Sequence, residues 1–205
     1  MSNNILHLGN IGWDLLKQVQ LELNNNKGLW NEHSKRCEAD SSPHYKLDDI
    51  WLRYNNIDNV PLGKIDEPHE SVWYPNTQYL QTLKKLAYYF MGQVNGERLG
   101  GILITRIKPG QECKPHDDRG SWHAEYYNCK IALQIQCAED IDYRNGLTKE
   151  PEQAFYFEGE HFCAKPGDYY WFNNQEKHWV INKSSVDRVT AIFCIKTDIK
   201  NNKSY

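Results

Sequence analysis

The second half of the sequence most constrains the fold, because from Leu99 onward apolar and polar residues alternate with a period of two. Such alternation places successive side chains on opposite faces of a strand, so it predicts short, half-buried β-strands. Turn sequences such as Pro109-Gly110, Asn145-Gly146 and Pro166-Gly167 separate these segments. Many short strands with such turns are typical of an antiparallel sandwich or jelly roll, so we predict a mainly β, cupin-like fold. The candidate strands read GILITRIK, KIALQIQC, QAFYFEG, DYYWFNN, HWVINK and RVTAIFCIK.

The first half reads as helical and irregular. A four-residue recurrence of apolar side chains predicts a first helix, with one face formed by Ile11, Leu15, Val19 and Leu23. A second helix is predicted over about residues 77–93, capped by Asn76 or Thr77 and ending near Gly92 and Gly96. Its apolar stripe would be Leu80, Leu83, Leu86, Ala87 and Phe90.

These elements suggest one compact domain of 205 residues. A long polar stretch, residues 24–75, lies between the two helices and contains one predicted strand, Ile50 to Tyr54. We expect the two helices to pack on one sheet from outside. The chain then divides into an N-terminal elaboration (1–98), a β core (99–197) and a polar tail (198–205).

Composition excludes several classes of protein. The net charge is −3, whereas a general nucleic-acid binder carries a strong basic excess. No apolar run approaches the roughly 20 residues of a membrane span, and MSNNILHLGN lacks the pattern of a secretory signal. We expect the cysteines to be reduced and structural, in a cytoplasmic protein, since none forms a C-x-x-C pair. They are Cys37, Cys113, Cys129, Cys137, Cys163 and Cys194.

Two of the eight histidines stand where strands would bring them together. His116 and Asp118 are two residues apart in an extended segment, so their side chains point the same way. His178 opens a later strand and completes the set from a facing position. Two imidazoles and one carboxylate form the ligand set of non-haem iron(II) oxygenases, which leaves positions open for an oxo acid and oxygen. A closed four-ligand zinc site would leave no such room.

A 2-oxoglutarate cosubstrate needs a cation for its far carboxylate. Arg188 lies ten residues after His178, and its guanidinium can form a bidentate pair with a carboxylate. Thr190 shares its strand face and could donate to the same group. Lys130 shares a face with Ala132 and is a candidate second cation for this pocket.

Alternative assignments stay open. Asp117 could replace Asp118 as ligand, Asp118 could pair with Arg119 at the surface, and Arg188 could be solvated. His123 and His161 are alternative metal ligands. Three aromatic residues on strands are expected to pack in the barrel: Trp171, Phe172 and Trp179. Three asparagines are expected to satisfy backbone groups in turns: Asn173, Asn174 and Asn182. A loop over the pocket mouth is expected to contain Trp122, Tyr126 and Tyr127.

The segments KPGQECKPHDD, KIALQIQ and GDYYWFNNQEKHWVINKSSVDR together carry a resemblance. The region from about Leu99 to Thr197 resembles the aspartyl/asparaginyl β-hydroxylase-like oxygenases, which include the proline 3-hydroxylase type and many phage-borne relatives. The resemblance implies a double-stranded β-helix, iron ligands at His116 and His178, and 2-oxoglutarate held by Arg188. The chain departs from the animal members by having Asp118. It also has Lys130 and Ala132 where the family commonly has Arg-x-His.

The expected activity is therefore an Fe(II)- and 2-oxoglutarate-dependent dioxygenase that uses O2 to hydroxylate an aliphatic C–H bond. Its substrate would be an amino acid or a protein or peptide side chain of the Asp, Asn or Pro type. Alternatives are an oxygenase acting on a nucleobase or small metabolite, a cupin-like metalloenzyme without 2-oxoglutarate, and a non-catalytic jelly-roll binding module.

Overall fold

The computed structural model describes residues 4–56, 64 and 66–198. Its strands form two antiparallel sheets facing each other, which confirms the predicted double-stranded β-helix. The seven-stranded sheet has the order β1-β9-β6-β11-β4-β2-β3, and the four-stranded sheet has the order β5-β10-β7-β8. The strands are β1 (Ile5–Asn10), β2 (Asp48–Tyr54), β3 (Val72–Trp73), β4 (Arg98–Ile107), β5 (Glu112–His116), β6 (Cys129–Gln136), β7 (Gln153–Phe157), β8 (Glu160–Phe162), β9 (Asp168–Phe172), β10 (His178–Asn182) and β11 (Arg188–Lys196).

Two long helices cover the outer face of the seven-stranded sheet, as predicted. Their side chains pack against the outward residues of the central strands β6 and β11, and Phe90 meets Phe193 edge-on at 5.0 Å. This layer is the larger apolar core of the molecule. The helices are α1 (Trp13–Asn25), α2 (Lys35–Glu38), α3 (Gln81–Gln93), α4 (Trp122–Tyr126) and α5 (Ile141–Arg144), with short 3-10 helices at Lys27–Leu29 and Pro75–Tyr79.

The buried face of α1 differs from the prediction at one position. Leu15 is 42% exposed, and Leu16 is buried in its place with Val19 and Leu23. A spacing of three and then four residues follows the 3.6-residue helical turn, whereas a strict four-residue repeat drifts around the helix. The prediction of Leu15 on the core face was therefore wrong.

The start of α3 also differs from the prediction. The helix begins at Gln81. Thr77 lies in the preceding 3-10 turn, where its hydroxyl donates to the Leu52 carbonyl at 2.9 Å. Neither Asn76 nor Thr77 caps α3. The Glu22 carboxylate of α1 instead accepts a hydrogen bond from the Thr82 backbone N–H at 3.1 Å. A side chain from a distant helix thus satisfies an amide that the sequence pattern assigned to a local cap.

The N-terminal part contains more β-structure than expected. Strand β2 extends the predicted Ile50–Tyr54 segment and pairs with β4, while the unpredicted β1 pairs with β9 at the sheet edge. Half-exposed edge strands carry little apolar alternation, so β1 had no clear sequence signal. The domain division at residues 98 and 197 stays a prediction, and residues 199–205 of the expected tail lie outside the described residues.

All six cysteines are free thiols, as expected. In the described part of the chain, we find no helix with both the length and the apolar character needed to cross a membrane.

Candidate metal centre

A cavity of about 230 Å³ opens between the two sheets. Its walls come from inward-facing residues of both sheets and from the N-terminal segment that contains α2. All six residues predicted to bind metal or cosubstrate line it: His116, Asp118, Lys130, His178, Arg188 and Thr190.

Antiparallel pairing of β5 with β10 brings the two predicted histidines together. His116 ends β5 and His178 begins β10, and the two are register partners with ring centroids 4.4 Å apart. The Asp118 carboxylate lies 3.9 Å from Nε2 of His116. Ligand atoms of these three residues all lie within 4.8 Å of one another, a geometry that one metal ion could bridge.

Backbone carbonyls set the tautomer of both histidines. Nδ1 of His116 lies 2.8 Å from the Lys114 carbonyl oxygen, and Nδ1 of His178 lies 2.8 Å from that of Glu176. A carbonyl can only accept, so each Nδ1 carries the proton and each Nε2 keeps a free lone pair. Metal-binding histidines are usually oriented in this way by their second nitrogen.

His178 lies in an aromatic cage. Its ring stacks on Phe155 at 5.5 Å and meets Phe172 edge-on at 5.6 Å. Burial, and then the neighbouring His116, lower the pKa of His178 below its ordinary value. The neutral imidazole is the form that binds a metal, so this environment favours the ligand state. Phe172 therefore packs in the barrel as predicted, and it also lines the site.

Asn174 positions the Asp118 carboxylate. Its side-chain amide donates to Oδ2 of Asp118 at 3.0 Å, and its backbone carbonyl accepts from the Asp118 N–H, also at 3.0 Å. The opposite oxygen, Oδ1, is the one near His116. From the sequence, Asn174 was expected only to satisfy a turn, because nothing local to residue 174 shows that Asp118 lies beside it.

The alternative ligands lie elsewhere or have other partners. Asp117 pairs with Arg119 at 2.8 Å, so Arg119 binds this carboxylate and not that of Asp118. His123 accepts a hydrogen bond from the Gly101 N–H at 2.9 Å, and His161 lies 2.6 Å from the Tyr143 hydroxyl. None of these three belongs to the cluster of ligand atoms around His116.

A second group of potential ligands shares His116 and includes His44 and Cys113. Burial raises the pKa of Cys113 to about 12, so its thiol is protonated at neutral pH and is a poor metal ligand. The ring of His44 lies 5.3 Å from that of His116. His44 was missed because it lies in a polar stretch without periodicity. Contacts between distant segments bring it to the site, among them a hydrogen bond from the Lys114 N–H to the Pro43 carbonyl.

The predicted cosubstrate cation is buried and has no acidic partner. Arg188 is 4% exposed, and within the described residues no carboxylate lies within 4.0 Å of it. It donates to the Thr190 hydroxyl at 2.8 Å and to the Tyr170 hydroxyl at 3.3 Å. The Thr190 hydroxyl donates in turn to Gln134 and would have to rotate to bind a carboxylate. Arg188 and Thr190 therefore share a face, as predicted, and Arg188 is not a solvated strand residue.

The face assignment of β6 is also confirmed. Ile131, Leu133 and Ile135 join the core beneath the helices, whereas Lys130 faces the cavity. Lys130 is 3% exposed and lies opposite Cys194 of β11.

The N-terminal segment contributes residues that sequence analysis missed. Arg36 lines the cavity and pairs with Asp49, which is 0% exposed, while Trp51 and Tyr54 of β2 form an aromatic wall. The predicted loop at the mouth is instead the short helix α4, capped by Ser121. Such contributions depend on how β2 docks beside β4, and no local pattern reveals that.

No model of a known protein family matches the chain, and no curated protein matches it. Solved structures do. A viral collagen prolyl hydroxylase from Paramecium bursaria Chlorella virus-1, in a 2-oxoglutarate complex, has a TM-score of 0.55 at 12% identity, covering 95% of this chain and 96% of that one. A Pseudomonas putida prolyl-4-hydroxylase has a TM-score of 0.53 at 11% identity, covering 94% and 92%.

A third similar structure is a Trichoplax adhaerens prolyl hydroxylase in complex with a peptide fragment of the hypoxia-inducible factor oxygen degradation domain. Its TM-score is 0.55 at 10% identity, covering 95% of this chain and 84% of that one. At such low identities the likeness concerns the fold. It extends over nearly the whole chain, including the N-terminal half.

Proposed function

We propose that this protein is an Fe(II)- and 2-oxoglutarate-dependent dioxygenase that hydroxylates an aliphatic C–H bond of an amino acid or of a protein or peptide side chain. The observation that carries the proposal is the convergence of His116, Asp118 and His178 on one face of the cavity. We place the protein with the aspartyl/asparaginyl β-hydroxylase-like oxygenases, nearer the proline 3-hydroxylase type, because Asp118 completes the ligand set. Because that group includes phage-borne members, we propose that this protein is encoded by a phage.

The residues present fit iron(II). Two neutral imidazoles with free Nε2 atoms and one carboxylate form the facial donor set that this ion takes in oxygenases. Iron(II) held there would supply oxygen activation, coupled to the oxidative decarboxylation of 2-oxoglutarate. Asn174 would hold the carboxylate in place, and the Phe155 and Phe172 rings would keep water away from His178.

The residues present also fit 2-oxoglutarate. A buried guanidinium without a carboxylate partner is costly unless a ligand supplies the counter-charge. Arg188 can bind the far carboxylate through two parallel N–H groups, with Thr190 beside it. Trp51 and Tyr54 also line the cavity, and their aromatic wall would face the primary substrate.

The proposed substrate class is supported by the similar structures and by the cavity. One prolyl hydroxylase of this fold has been solved with a peptide bound. An amino acid or a side chain entering from outside suits a cavity of about 230 Å³. The free cysteines support a cytoplasmic setting, in which thiols stay reduced.

The proposal is tested by measuring succinate formation from 2-oxoglutarate. Succinate should form only with iron(II), and His178→Ala should abolish it because one of three ligands is lost. Arg188→Ala should raise the KM for 2-oxoglutarate roughly tenfold or more, since charge-assisted hydrogen bonds contribute about 1.5–3 kcal/mol. Asp117→Ala, which removes an exposed neighbouring carboxylate, is the matched control and should behave as wild type.

Two other outcomes would indicate a different function. Metal-dependent turnover that needs no 2-oxoglutarate and is unchanged in Arg188→Ala would indicate a cupin-like enzyme of another reaction class. Failure of the purified protein to bind iron(II), cobalt(II) or manganese(II) would indicate a binding module.

A further inference from the structure

Three cationic side chains line the cavity: Arg36, Lys130 and Arg188. Arg36 is neutralised by Asp49, which accepts two of its N–H groups. Lys130 differs from both arginines, because its ammonium has no hydrogen bond or ion pair with any residue in the described part of the chain. It is also 3% exposed and faces the cavity. An ammonium that faces an enclosed cavity without a protein partner is a suitable counter-charge for an anionic ligand.

Strand register separates Lys130 from the 2-oxoglutarate cation. Lys130 lies opposite Cys194, whereas Gln134 lies opposite Thr190, the residue that holds the Arg188 guanidinium. Thr190 and Cys194 are four residues apart on β11, which is about 13 Å along an extended strand. The two cationic side chains therefore enter the cavity from separate backbone positions along the seven-stranded sheet.

The surroundings of the two cations also differ. Arg188 lies beside Tyr170, near the turn that begins β11. Lys130 lies near His123, whose pKa is lowered by burial first and then by the charge of Lys130. Tyr54 packs against His123 at 4.6 Å, so aromatic rings lie near Lys130. The Asp66 carboxylate accepts a hydrogen bond from the His123 backbone N–H at 3.1 Å and is not among the residues that line the cavity.

Charge balance supports a second anion. In the proposed enzyme, iron(II), Asp118, a doubly charged 2-oxoglutarate and Arg188 together carry no net charge. Asp49 balances Arg36. Among the described residues that line the cavity, Lys130 is then the cation without a carboxylate partner.

We propose that Lys130 binds an anionic group, a carboxylate or a phosphate, of the primary substrate, so that the cavity holds two separate anion sites. This inference rests on the proposed function. It assigns to Lys130 a role in substrate selection in place of the second 2-oxoglutarate contact expected from the sequence.

The test measures binding without turnover, in protein loaded with iron(II) and kept anaerobic. Calorimetry gives the Kd of 2-oxoglutarate for wild type, Lys130→Met, Lys130→Arg and Arg188→Met. Thermal unfolding then gives the shift in Tm that N-acetyl-L-aspartate or glycerol 3-phosphate adds to the 2-oxoglutarate complex. The first probe represents carboxylates and the second represents phosphates, so the larger shift distinguishes the two sources.

We expect substitutions of the two cations to affect different ligands. Lys130→Met should leave the Kd of 2-oxoglutarate within about twofold and abolish the probe-induced shift, whereas Lys130→Arg keeps part of that shift. Arg188→Met should weaken 2-oxoglutarate about tenfold or more. Without ligands, Lys130→Met should melt a few degrees above wild type, because Met fills the same space without an unpaired charge.

Three results would overturn the proposal. One is a loss of 2-oxoglutarate affinity in Lys130→Met as large as that in Arg188→Met, which would make Lys130 a cosubstrate residue. Another is a lower Tm of ligand-free Lys130→Met, which would make it structural. The third is the absence of a Lys130-dependent shift with both probes. Failure of wild type to bind 2-oxoglutarate at all would instead reject the proposed function.

Discussion

At the scale of single residues, a hydrogen bond orients each of the three side chains proposed to bind metal. The Lys114 and Glu176 carbonyls hold the two histidine rings, and Asn174 holds one oxygen of Asp118. Asp118 is the least enclosed of the three ligands, with a side chain 30% exposed. Its orientation therefore depends most on a single partner.

Asn174→Ala should weaken metal binding by about 10–100-fold while leaving all three ligands in place, because the carboxylate loses the group that orients it. Titration with cobalt(II) or iron(II) measures the effect. Asn173→Ala is a matched control in the same turn, since Asn173 contacts Gln175 and Asn4 and not Asp118. Equal metal affinity of Asn174→Ala and wild type would contradict a positioning role.

Residues whose position depends on local chain geometry could be predicted from the sequence, and residues placed by distant contacts could not. His116, Asp118 and His178 were predictable because alternation in strands and i, i+2 spacing are local properties. His44 and Asn174 were not, because their roles arise from contacts with residues far away in the chain.

At the scale of elements, strand β2 attaches the N-terminal half to the β core. It pairs with β4, with Asp48 opposite Arg106 and Asp49 opposite Thr105. This pairing places Trp51 and Tyr54 at the cavity and supplies the partner of Arg36. The aromatic wall that we propose faces the substrate therefore depends on an element outside the recognisable motifs.

Asp48 stabilises this junction in a pH-dependent way. Burial alone would raise its pKa, but hydrogen bonds from Asn31, Lys108 and Arg106 outweigh burial and hold the pKa below its ordinary value. A carboxyl with a lowered pKa in the folded state stabilises the protein above its unfolded pKa, near 3.9. That contribution is lost as the pH falls through the folded-state pKa.

Asp48→Asn should therefore lower the free energy of unfolding by roughly 1–2 kcal/mol at neutral pH, because its charge-assisted hydrogen bonds weaken. The difference from wild type should narrow once the pH falls below about 4. Urea unfolding at neutral and acidic pH measures it. Asp187→Asn, at a more exposed site 4.0 Å from Arg106, is the control, and a gap that widens with acid would contradict the assignment.

Element-level predictions succeeded where periodicity was strong and failed where tertiary contacts replaced a local signal. The six candidate strands and both long helices were found. The cap of α3 was not, since Glu22 of α1 binds the amide of Thr82. The strands β1, β3, β5 and β8 were not among the candidates, although the residues of β5 that contain His116 were expected to be extended. Two or three residues, or an exposed edge, carry little pattern.

At the scale of the whole molecule, the seven-stranded sheet separates two different interiors. Its outer face forms a dense apolar core with α1 and α3, and its inner face lines the cavity that contains Arg188 and Lys130. On β11, Phe193 faces the helices, whereas Arg188, Thr190 and Cys194 face the cavity. Stability and chemistry are thus assigned to opposite faces of the same strand.

Phe193→Ala should lower the free energy of unfolding by about 3–5 kcal/mol, because it leaves a cavity beneath Phe90. Well below the lowered Tm, its affinities for metal and 2-oxoglutarate should match those of wild type. Thermal unfolding and calorimetry test both statements, with Leu147→Ala, at a side chain 73% exposed, as the stability control. Loss of 2-oxoglutarate affinity in folded Phe193→Ala would show that the two faces are coupled.

The sequence by itself determined the β-sandwich class, the two faces of β6 and β11, and the three residues proposed to bind metal. These depend on alternation along a strand, which is a local steric property of the chain. Only the tertiary structure decided that Asn174 holds Asp118, that His44 and Arg36 reach the cavity, and that Lys130 lies opposite Cys194. Those facts depend on strand register and on the docking of distant segments, which many side-chain contacts decide together.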